Sequence, residues 1–158
     1  MSRLTTRNTR PRILAVASGG GHWVQLMRLR PAFEDADVTY VTVQATSKED
    51  VPETSTFLVV PDATRWDRFR LVRMALRLFW IVLRSRPDVV ISTGAAPGYF
   101  ALRFGRWLGA RTMWIDSIAN AEELSMSATR IRPHATMVLS QWEDVAERTG
   151  VEYHGAVL

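Results

Sequence analysis

Short apolar segments that alternate with segments of helical spacing constrain the fold of this chain more than any other feature of the sequence. The apolar segments predict strands at residues 12–17, 38–43, 56–60, 88–92, 111–115 and 135–139. Helical spacing predicts helices at residues 22–33, 65–86, 99–108 and 142–148, and residues 44–55 are predicted to form a loop. Most of these strands are apolar throughout, which indicates a sheet buried on both faces. The sequence therefore predicts a Rossmann-like α/β fold, with a parallel sheet and helices on both faces.

The length and composition are those of one globular domain. The chain has 158 residues, 47% of them hydrophobic, which is enough for one sizeable core. We predict a single domain over residues 12–158, after a flexible basic tail at residues 1–11 that lacks the apolar core of a signal peptide. The absence of cysteine excludes disulfide bonds and thiolate chemistry. The histidines are scattered along the sequence, so we predict neither a metal site nor a cofactor.

The basic residues are almost all arginine. The formal net charge is +4, and Lys48 is the only lysine among the 20 basic residues. Because the guanidinium group binds phosphate oxygens as a planar fork, this composition is compatible with phosphate-bearing substrates, anionic lipid or nucleic acid. A genomic bias towards arginine codons explains the composition equally well, so the positions of the arginines carry more information than their number.

A loop with three consecutive glycines follows the first predicted strand. It consists of Ser18, Gly19, Gly20 and Gly21, and His22 begins the next predicted helix. Glycines allow a ligand to approach the backbone, and the free N–H groups of a helix start bind anions. We predict that this loop binds a phosphate or diphosphate, although it matches neither the dinucleotide-binding motif nor the P-loop; the alternative is a tight turn without a ligand. His22 either exchanges a proton with a substrate or forms a hydrogen bond with the backbone.

A second loop of small residues follows the predicted strand at residues 88–92. It ends at Gly98 and contains Thr93 and Gly94 as further candidate contacts to phosphate, with Pro97 favouring the first turn of a helix. Ligands of parallel α/β sheets bind beyond the carboxyl ends of the strands, where both loops lie. The two loops together predict one site that holds a ligand between them.

The predicted helix at residues 65–86 combines arginines with large apolar residues. Four arginines fall on one narrow face: Arg70, Arg73, Arg77 and Arg84. Its longest apolar stretch, residues 78–83, is far shorter than the roughly 20 residues needed to cross a bilayer. We predict that the helix lies at a membrane interface, with the arginines at lipid phosphates and with Phe79 and Trp80 in the headgroup region. The alternatives are a core helix with one solvated basic edge and a surface that binds another protein.

Several motifs together resemble one family. The two glycine loops resemble those of the acceptor domain of GT-B glycosyltransferases that build lipid-linked sugars, such as the peptidoglycan enzyme that adds N-acetylglucosamine to a lipid diphosphate. Residues 114–127, 139–142 and 153–158 resemble, in this order, segments of the acceptor subunit of the split N-acetylglucosamine transferase of dolichol-linked oligosaccharide synthesis and of its bacterial exopolysaccharide relatives. The resemblance covers residues 12–158. It departs from the eukaryotic members at Asp116 and Asn120, where glutamate and arginine are expected.

The resemblance implies that this chain is one half of a GT-B glycosyltransferase that builds polysaccharides or glycolipids. The chain is expected to bind a lipid-diphosphate acceptor at the cytoplasmic face of a membrane, without a role for nucleic acid. A separate subunit is expected to bind the UDP-sugar, either UDP-N-acetylglucosamine or a related UDP-hexose. The expected acceptor pocket contains Ser117, Asn120 and Ser125. The expected partner interface contains Gln141, Trp142, Tyr153 and Leu158.

Four residues are candidates for the general base of such a transfer: His22, Asp116, Glu122 and Glu123. Asp116 directly follows a predicted strand, which favours it geometrically, whereas Glu122 and Glu123 also fit a solvated helical patch. Two other functions remain open, namely a non-enzymatic subunit that recruits or activates a partner at the membrane and a self-sufficient nucleotide-binding enzyme. A nucleic-acid binder fits less well, because the glycine loops and apolar helix faces do not require one.

Overall fold

The fold is described from a computed structural model, which covers residues 10–64 and 66–157. Most of the predicted basic tail lies outside these residues, as do Arg65 and Leu158. The described strands are β1 (Arg12–Ala17), β2 (Asp37–Thr42), β3 (Thr56–Val59), β4 (Val89–Gly94), β5 (Arg111–Ile115), β6 (Met137–Ser140) and β7 (Glu152–Tyr153). They form one parallel sheet in the order β3-β2-β1-β4-β5-β6-β7. The predicted Rossmann-like α/β fold is confirmed.

The helices cover the sheet on both faces. They are α1 (Gly21–Arg28), α2 (Arg68–Ser85), α3 (Ala96–Trp107), α4 (Met126–Ile131) and α5 (Glu143–Thr149), with 3-10 helices at Arg30–Phe33, Ala45–Asp50 and Arg132–His134. Leu14 and Val16 of β1 belong to the apolar core beneath α2, α3 and α4. Ile13 and Ala15 belong to a second core, which includes Trp23 of α1. Both faces of β1 are therefore buried, which explains why this strand is apolar throughout.

Three helices begin or end at least three residues from their predicted bounds, and one of them is α3, which begins at Ala96 instead of residue 99. The reason is identifiable for the other two. The first ends at Arg28 instead of residue 33, because Pro31 has no N–H to donate to an α-helical hydrogen bond. α2 begins at Arg68, because the Asp67 carboxylate accepts a hydrogen bond from the Arg70 N–H at 3.0 Å and so caps the helix.

Three short elements are not predicted by the sequence pattern. α4 has six residues and begins where the Ser125 hydroxyl accepts a hydrogen bond from the Ala128 N–H at 3.0 Å. The predicted loop at residues 44–55 contains the 3-10 helix Ala45–Asp50, and β7 has two exposed residues. Elements of this length contain too few residues to show a hydrophobic period.

The two glycine loops leave adjacent strands, β1 and β4, at the carboxyl edge of the sheet. The Ser18 N–H donates to the Gly94 carbonyl at 2.9 Å, and the Thr93 hydroxyl donates to the His22 carbonyl at 2.6 Å. These two bonds join the second loop to the start of α1. The predicted position of both loops at one edge of the sheet is confirmed.

Candidate active site

A cavity of about 450 Å³ opens at the carboxyl edge of the sheet, between the loops that follow β1, β4 and β5. Its lining contains residues predicted as glycine-loop, catalytic and acceptor-pocket residues: Gly21, His22, Gly94, Asp116, Ser117, Asn120 and Ser125. Ala95, Trp114, Ala119 and Ser127 also line the cavity and are not among the predicted residues. The structure thus brings most of the candidate site together where ligands of parallel α/β sheets bind.

A larger groove, of about 870 Å³, lies at the opposite edge of the sheet, near the amino ends of β1, β2 and β3. Its wall mixes arginines with acidic residues, among them Arg12, Arg30, Asp37 and Glu49, and the described part of it contains none of the predicted site residues. We assign the candidate site to the smaller cavity, because strand ends of that polarity are where this fold binds ligands.

His22 is the basic side chain in the cavity wall. Its Nδ1 lies 2.9 Å from the Ser18 hydroxyl, and the Thr93 hydroxyl holds its carbonyl. Burial lowers the pKa of His22 below its ordinary value of 6.5, and the negative charge of Asp116 acts in the opposite direction. A lowered pKa increases the neutral fraction of the imidazole, which is the form that accepts a proton.

Gly94 provides the space for the His22 ring. A Cβ atom at position 94 would lie 2.5 Å from His22 Cδ2 and 2.7 Å from His22 Nε2. The φ angle of Gly94 is +127°, a conformation that L side chains rarely adopt. Both the backbone conformation and the neighbouring ring therefore require glycine here.

We expect Gly94→Ala to lower the free energy of unfolding by about 1–3 kcal/mol, because it combines backbone strain with overpacking against the ring. Urea denaturation measures the loss, and NMR chemical shifts of the His22 ring report its displacement. Gly109→Ala is the matched control, because Gly109 has φ +86° and a Cβ atom there would meet nothing within 4 Å. Equal losses in both variants, with the His22 shifts unchanged in Gly94→Ala, would contradict the packing argument.

Asp116 fixes the loop that closes one side of the cavity. It is 2% exposed, and its carboxylate accepts hydrogen bonds from the Ser125 N–H at 2.7 Å, the Ser125 hydroxyl at 2.6 Å and the Trp114 indole N–H at 3.1 Å. These bonds engage both carboxylate oxygens. We therefore interpret Asp116 as a residue that holds the loop at 117–125, with its charge acting on His22, rather than as a freely available base.

A buried network of side-chain amides supports this loop. Gln25 donates to the Ser117 hydroxyl at 3.1 Å and accepts from the Gln141 amide at 2.8 Å. Gln141 also donates to the Asp116 carbonyl at 2.8 Å and accepts from the Val157 N–H at 2.8 Å. Gln141 is 4% exposed, so its prediction as a partner contact is wrong: its side chain is committed inside the domain. Gln25 was missed because nothing in a helical sequence distinguishes a buried glutamine from a solvated one.

Some of the predicted phosphate contacts are free to bind a ligand, whereas others already form hydrogen bonds within the protein. A Cβ atom at Gly20 or Gly21 would meet nothing within 4 Å, and α1 begins at this point without a side-chain cap. The N–H groups of the first turn of α1 are therefore available to an anion. Thr93, by contrast, is 1% exposed and its hydroxyl is committed to the His22 carbonyl.

At Gly19 a Cβ atom would meet the end of the exposed Gln44 side chain, which can move aside, so Gly19 remains a predicted phosphate contact. Gly98 has a packing role instead. A Cβ atom on Gly98 would collide with the Ser92 hydroxyl, and Gly98 is buried inside α3. The prediction of Gly98 as a phosphate contact is therefore wrong, because the close approach it permits is that of a helix to its own sheet.

Glu122 and Glu123 are exposed on the loop between β5 and α4 and do not line the cavity. The Glu122 carbonyl accepts a hydrogen bond from Arg148 at 2.8 Å. The prediction of Glu123 as a catalytic residue is therefore wrong for this arrangement of the loop, and the predicted helical patch is also absent, because residues 121–123 form a bend.

The outward face of α2 is apolar over most of its length. The exposed side chains on this face are Phe69, Val72, Leu76, Trp80 and Leu83. Arg70, Arg73, Arg77 and Arg84 are exposed beside them. Phe79 was predicted to lie at the membrane but is partly buried against Phe104, with ring centroids 5.5 Å apart. Across residues 10–64 and 66–157, no helix is both long and apolar enough to cross a membrane.

Trp142 and Tyr153 are partly exposed at the carboxyl end of the domain, and they line a shallow cavity of about 530 Å³. The indole N–H of Trp142 donates to the Ile118 carbonyl at 2.7 Å, which leaves the ring edge in the cavity wall. The same cavity is lined by acidic side chains: Glu143, Asp144 and Glu147. Leu158, also predicted at this interface, lies outside the described residues.

Comparison with known proteins identifies relatives in sequence and in fold. No protein-family model matches the sequence. The chain is 23% identical over 184 residues to the UDP-N-acetylglucosamine transferase subunit ALG14 of Yarrowia lipolytica, covering 96% of this chain and 83% of the relative.

Solved structures share the fold at low sequence identity. MurG of Acinetobacter baumannii superposes with a TM-score of 0.69 at 11% identity, covering 85% of this chain and 42% of MurG. A glycosyltransferase of Rickettsia africae gives a TM-score of 0.62 at 13% identity, covering 84% of this chain and 37% of the enzyme. The UDP-N-acetylglucosamine 2-epimerase of Rickettsia bellii gives 0.69 at 9% identity, covering 94% and 45% of the respective chains. This chain spans less than half of each of these three structures. It has the Rossmann-like fold of one half of a GT-B glycosyltransferase and is similar in sequence to the ALG14 subunit of UDP-N-acetylglucosamine transferase.

Proposed function

We propose that this chain is the acceptor-binding subunit of a glycosyltransferase that moves N-acetylglucosamine from UDP-N-acetylglucosamine to a lipid-diphosphate acceptor. The observation that carries this proposal is the cavity in which His22 lies beside the open start of α1, at the carboxyl edge of half a GT-B fold. GT-B enzymes react in a cleft between two Rossmann-like domains, so a partner chain is proposed to supply the second domain and the UDP-sugar. The relationship to a protein named as a transferase subunit supports this division.

In the proposed reaction His22 acts as the general base. Its Nε2 accepts the proton of the acceptor hydroxyl while that oxygen forms a bond to the anomeric carbon of the donor sugar. The bond between the anomeric carbon and UDP breaks, and UDP leaves with the electron pair. The N–H groups at the start of α1 bind the acceptor diphosphate, and Asn120 and Ser127 in the cavity wall bind its sugar hydroxyls.

The outward face of α2 is proposed to attach the protein to the cytoplasmic face of a membrane. Its apolar stripe, which includes Phe69, Leu76 and Trp80, enters the headgroup boundary, and the neighbouring arginines bind lipid phosphates. A protein held in this way reaches a lipid-linked acceptor without the lipid leaving the bilayer.

We expect Trp80→Glu to weaken binding to vesicles of phosphatidylcholine and phosphatidylglycerol by about tenfold or more, because it removes a large apolar side chain and adds a negative charge. Vesicle sedimentation measures the partition coefficient. Val24→Glu is the matched control, because Val24 is also exposed but lies on α1, on the opposite face of the sheet. Equal partition of Trp80→Glu and the wild type would contradict attachment through α2.

The partly exposed aromatic side chains of Trp142 and Tyr153 are proposed to contact the donor-binding partner. Aromatic residues bordered by polar groups are typical of such interfaces. The acidic side chains Glu143, Asp144 and Glu147 beside them favour a partner with a basic surface.

Reconstituted glycosyl transfer tests the proposal. Radiolabelled UDP-N-acetylglucosamine is supplied with lipid-diphosphate acceptors in membranes, using this chain alone, a candidate donor-binding glycosyltransferase chain alone, and both together. Transfer that requires both chains is the expected result. Transfer by this chain alone would indicate a self-sufficient enzyme, and full transfer by the partner alone would reduce this chain to a recruiting subunit; either outcome overturns the proposal.

A further inference from the structure

Ser18 contacts His22 on the side of the ring that faces away from Gly94. The Ser18 hydroxyl lies 2.9 Å from Nδ1, whereas Nε2 lies on the edge of the ring that packs against Gly94 in the cavity wall. The Ser18 backbone is itself fixed, because its N–H donates to the Gly94 carbonyl at 2.9 Å. The hydroxyl therefore occupies a defined position relative to the ring.

We infer that Ser18 is a positioning residue that holds His22 in the tautomer with a proton on Nδ1, so that Nε2 presents its lone pair to the substrate. This inference rests on the proposed role of His22 as general base. In this arrangement the Ser18 hydroxyl oxygen accepts the Nδ1 proton, and its own O–H group stays available to donate to a phosphate, so the earlier prediction for Ser18 is compatible with this role.

The surroundings of the ring favour this tautomer over the other. A neutral imidazole carries one N–H, and the partner of one nitrogen decides the state of the other. With the proton on Nδ1, the N–H donates to Ser18 Oγ. With the proton on Nε2, the Ser18 hydroxyl would donate to Nδ1, and the Nε2–H group would have no hydrogen-bond acceptor among the described residues. Partly buried N–H groups without an acceptor are rarer than acceptors without a donor.

The same arrangement serves the charged state that follows proton transfer. The proton of the acceptor hydroxyl moves to Nε2, and the imidazolium that results still donates its Nδ1 proton to Ser18. Asp116 is the charged group that acts on the ring, and its negative charge stabilises the imidazolium without receiving the proton.

The tautomer can be measured without any enzyme activity. In a His134→Gln, His154→Gln background, His22 is the only histidine, and both replaced residues are exposed. Long-range 1H–15N correlation spectra above the pKa of the ring are expected to show a protonated Nδ1 and an unprotonated Nε2. Ser18→Ala is expected to shift population to the other tautomer, and Ser18→Thr, which keeps the hydroxyl, to restore the wild-type state. A protonated Nε2 in the parent protein, or an unchanged tautomer in Ser18→Ala, overturns the inference.

Kinetics with the partner chain then test the consequence for the reaction. Ser18→Ala is expected to lower kcat by about tenfold, which is less than the loss expected when the general base itself is removed. The KM for the acceptor is expected to stay unchanged. Ser18→Thr is expected to recover the wild-type kcat. Ser85→Ala is the control, because it removes a hydroxyl bonded to a helix carbonyl far from the cavity. A raised KM with unchanged kcat would overturn the inference in favour of phosphate binding. Inactivity of the wild type with every partner would instead refute the proposed function, while the spectra would still decide the tautomer.

Discussion

Replacing His22 with glutamine is expected to lower kcat for glycosyl transfer by about 100-fold or more, the usual contribution of a general base. The folded structure and binding to the partner chain are expected to persist, because glutamine retains a polar side chain in a partly open cavity. Single-turnover rates in membranes measure the effect. His134→Ala is the matched control, because it removes an exposed histidine outside the cavity. A His22→Gln variant with the wild-type rate would exclude His22 as the base.

The pH dependence of the wild type adds a second readout to this prediction. Burial lowers the pKa of His22 in the free protein, so the acid limb of the kcat/KM profile, which reports the free enzyme, is expected below the ordinary value of 6.5. The folded protein then binds this proton less tightly than the unfolded chain does. Stability from His22 is therefore complete above pH 6.5 and is lost as the pH falls from 6.5 through the folded pKa. His22→Gln is expected to lack this component in urea titrations at successive pH values.

Asp116→Asn is expected to lower the free energy of unfolding by about 2 kcal/mol. An asparagine still accepts hydrogen bonds through its oxygen, but its NH2 group meets the Ser125 N–H, which is left without an acceptor. Removal of the negative charge is also expected to lower the pKa of His22 further, because Asp116 attracts its protonated form.

Urea denaturation and NMR titration of His22 measure these two effects separately. Asp35→Asn is the control, because Asp35 is an exposed aspartate in the turn before β2. Wild-type stability of Asp116→Asn would show that the loop at 117–125 is held by other contacts, and an unchanged His22 pKa would remove Asp116 from the electrostatics of the cavity.

The sequence predicts the sheet and the edge that carries the site, because both follow from local patterns. Apolar strands such as β1 and β4 and the glycines after them are visible in a single sequence. The hydrogen-bond partners of individual side chains cannot be predicted from such local patterns. Gln141 and Ser18 each bond to a residue on another element or across a turn, and no period of the sequence encodes these contacts.

The sequence likewise does not determine which side chains of α2 lie on the protein surface. Its sequence shows arginines on one face and apolar residues around the rest, but it does not show which apolar side chains another helix covers. Phe79 is covered by Phe104 of α3, whereas Leu76 and Trp80 stay exposed. Only the packing of α2 against α3 separates these residues into core and surface.

The hydrogen bond between the two glycine loops, from Ser18 to Gly94, determines at which stage of folding the cavity forms. Ser18 and Gly94 meet because β1 and β4 are neighbours in the sheet, although the whole of β2, β3 and α2 separates them in sequence. A contact between such distant segments forms only after the intervening chain has been ordered. A nascent chain released before β4 would therefore contain His22 and the first glycine loop but no cavity. In the folded domain, the hydrogen-bonded amides of Ser18 and Gly94 are expected to become open to hydrogen exchange together, as parts of one cooperative unit.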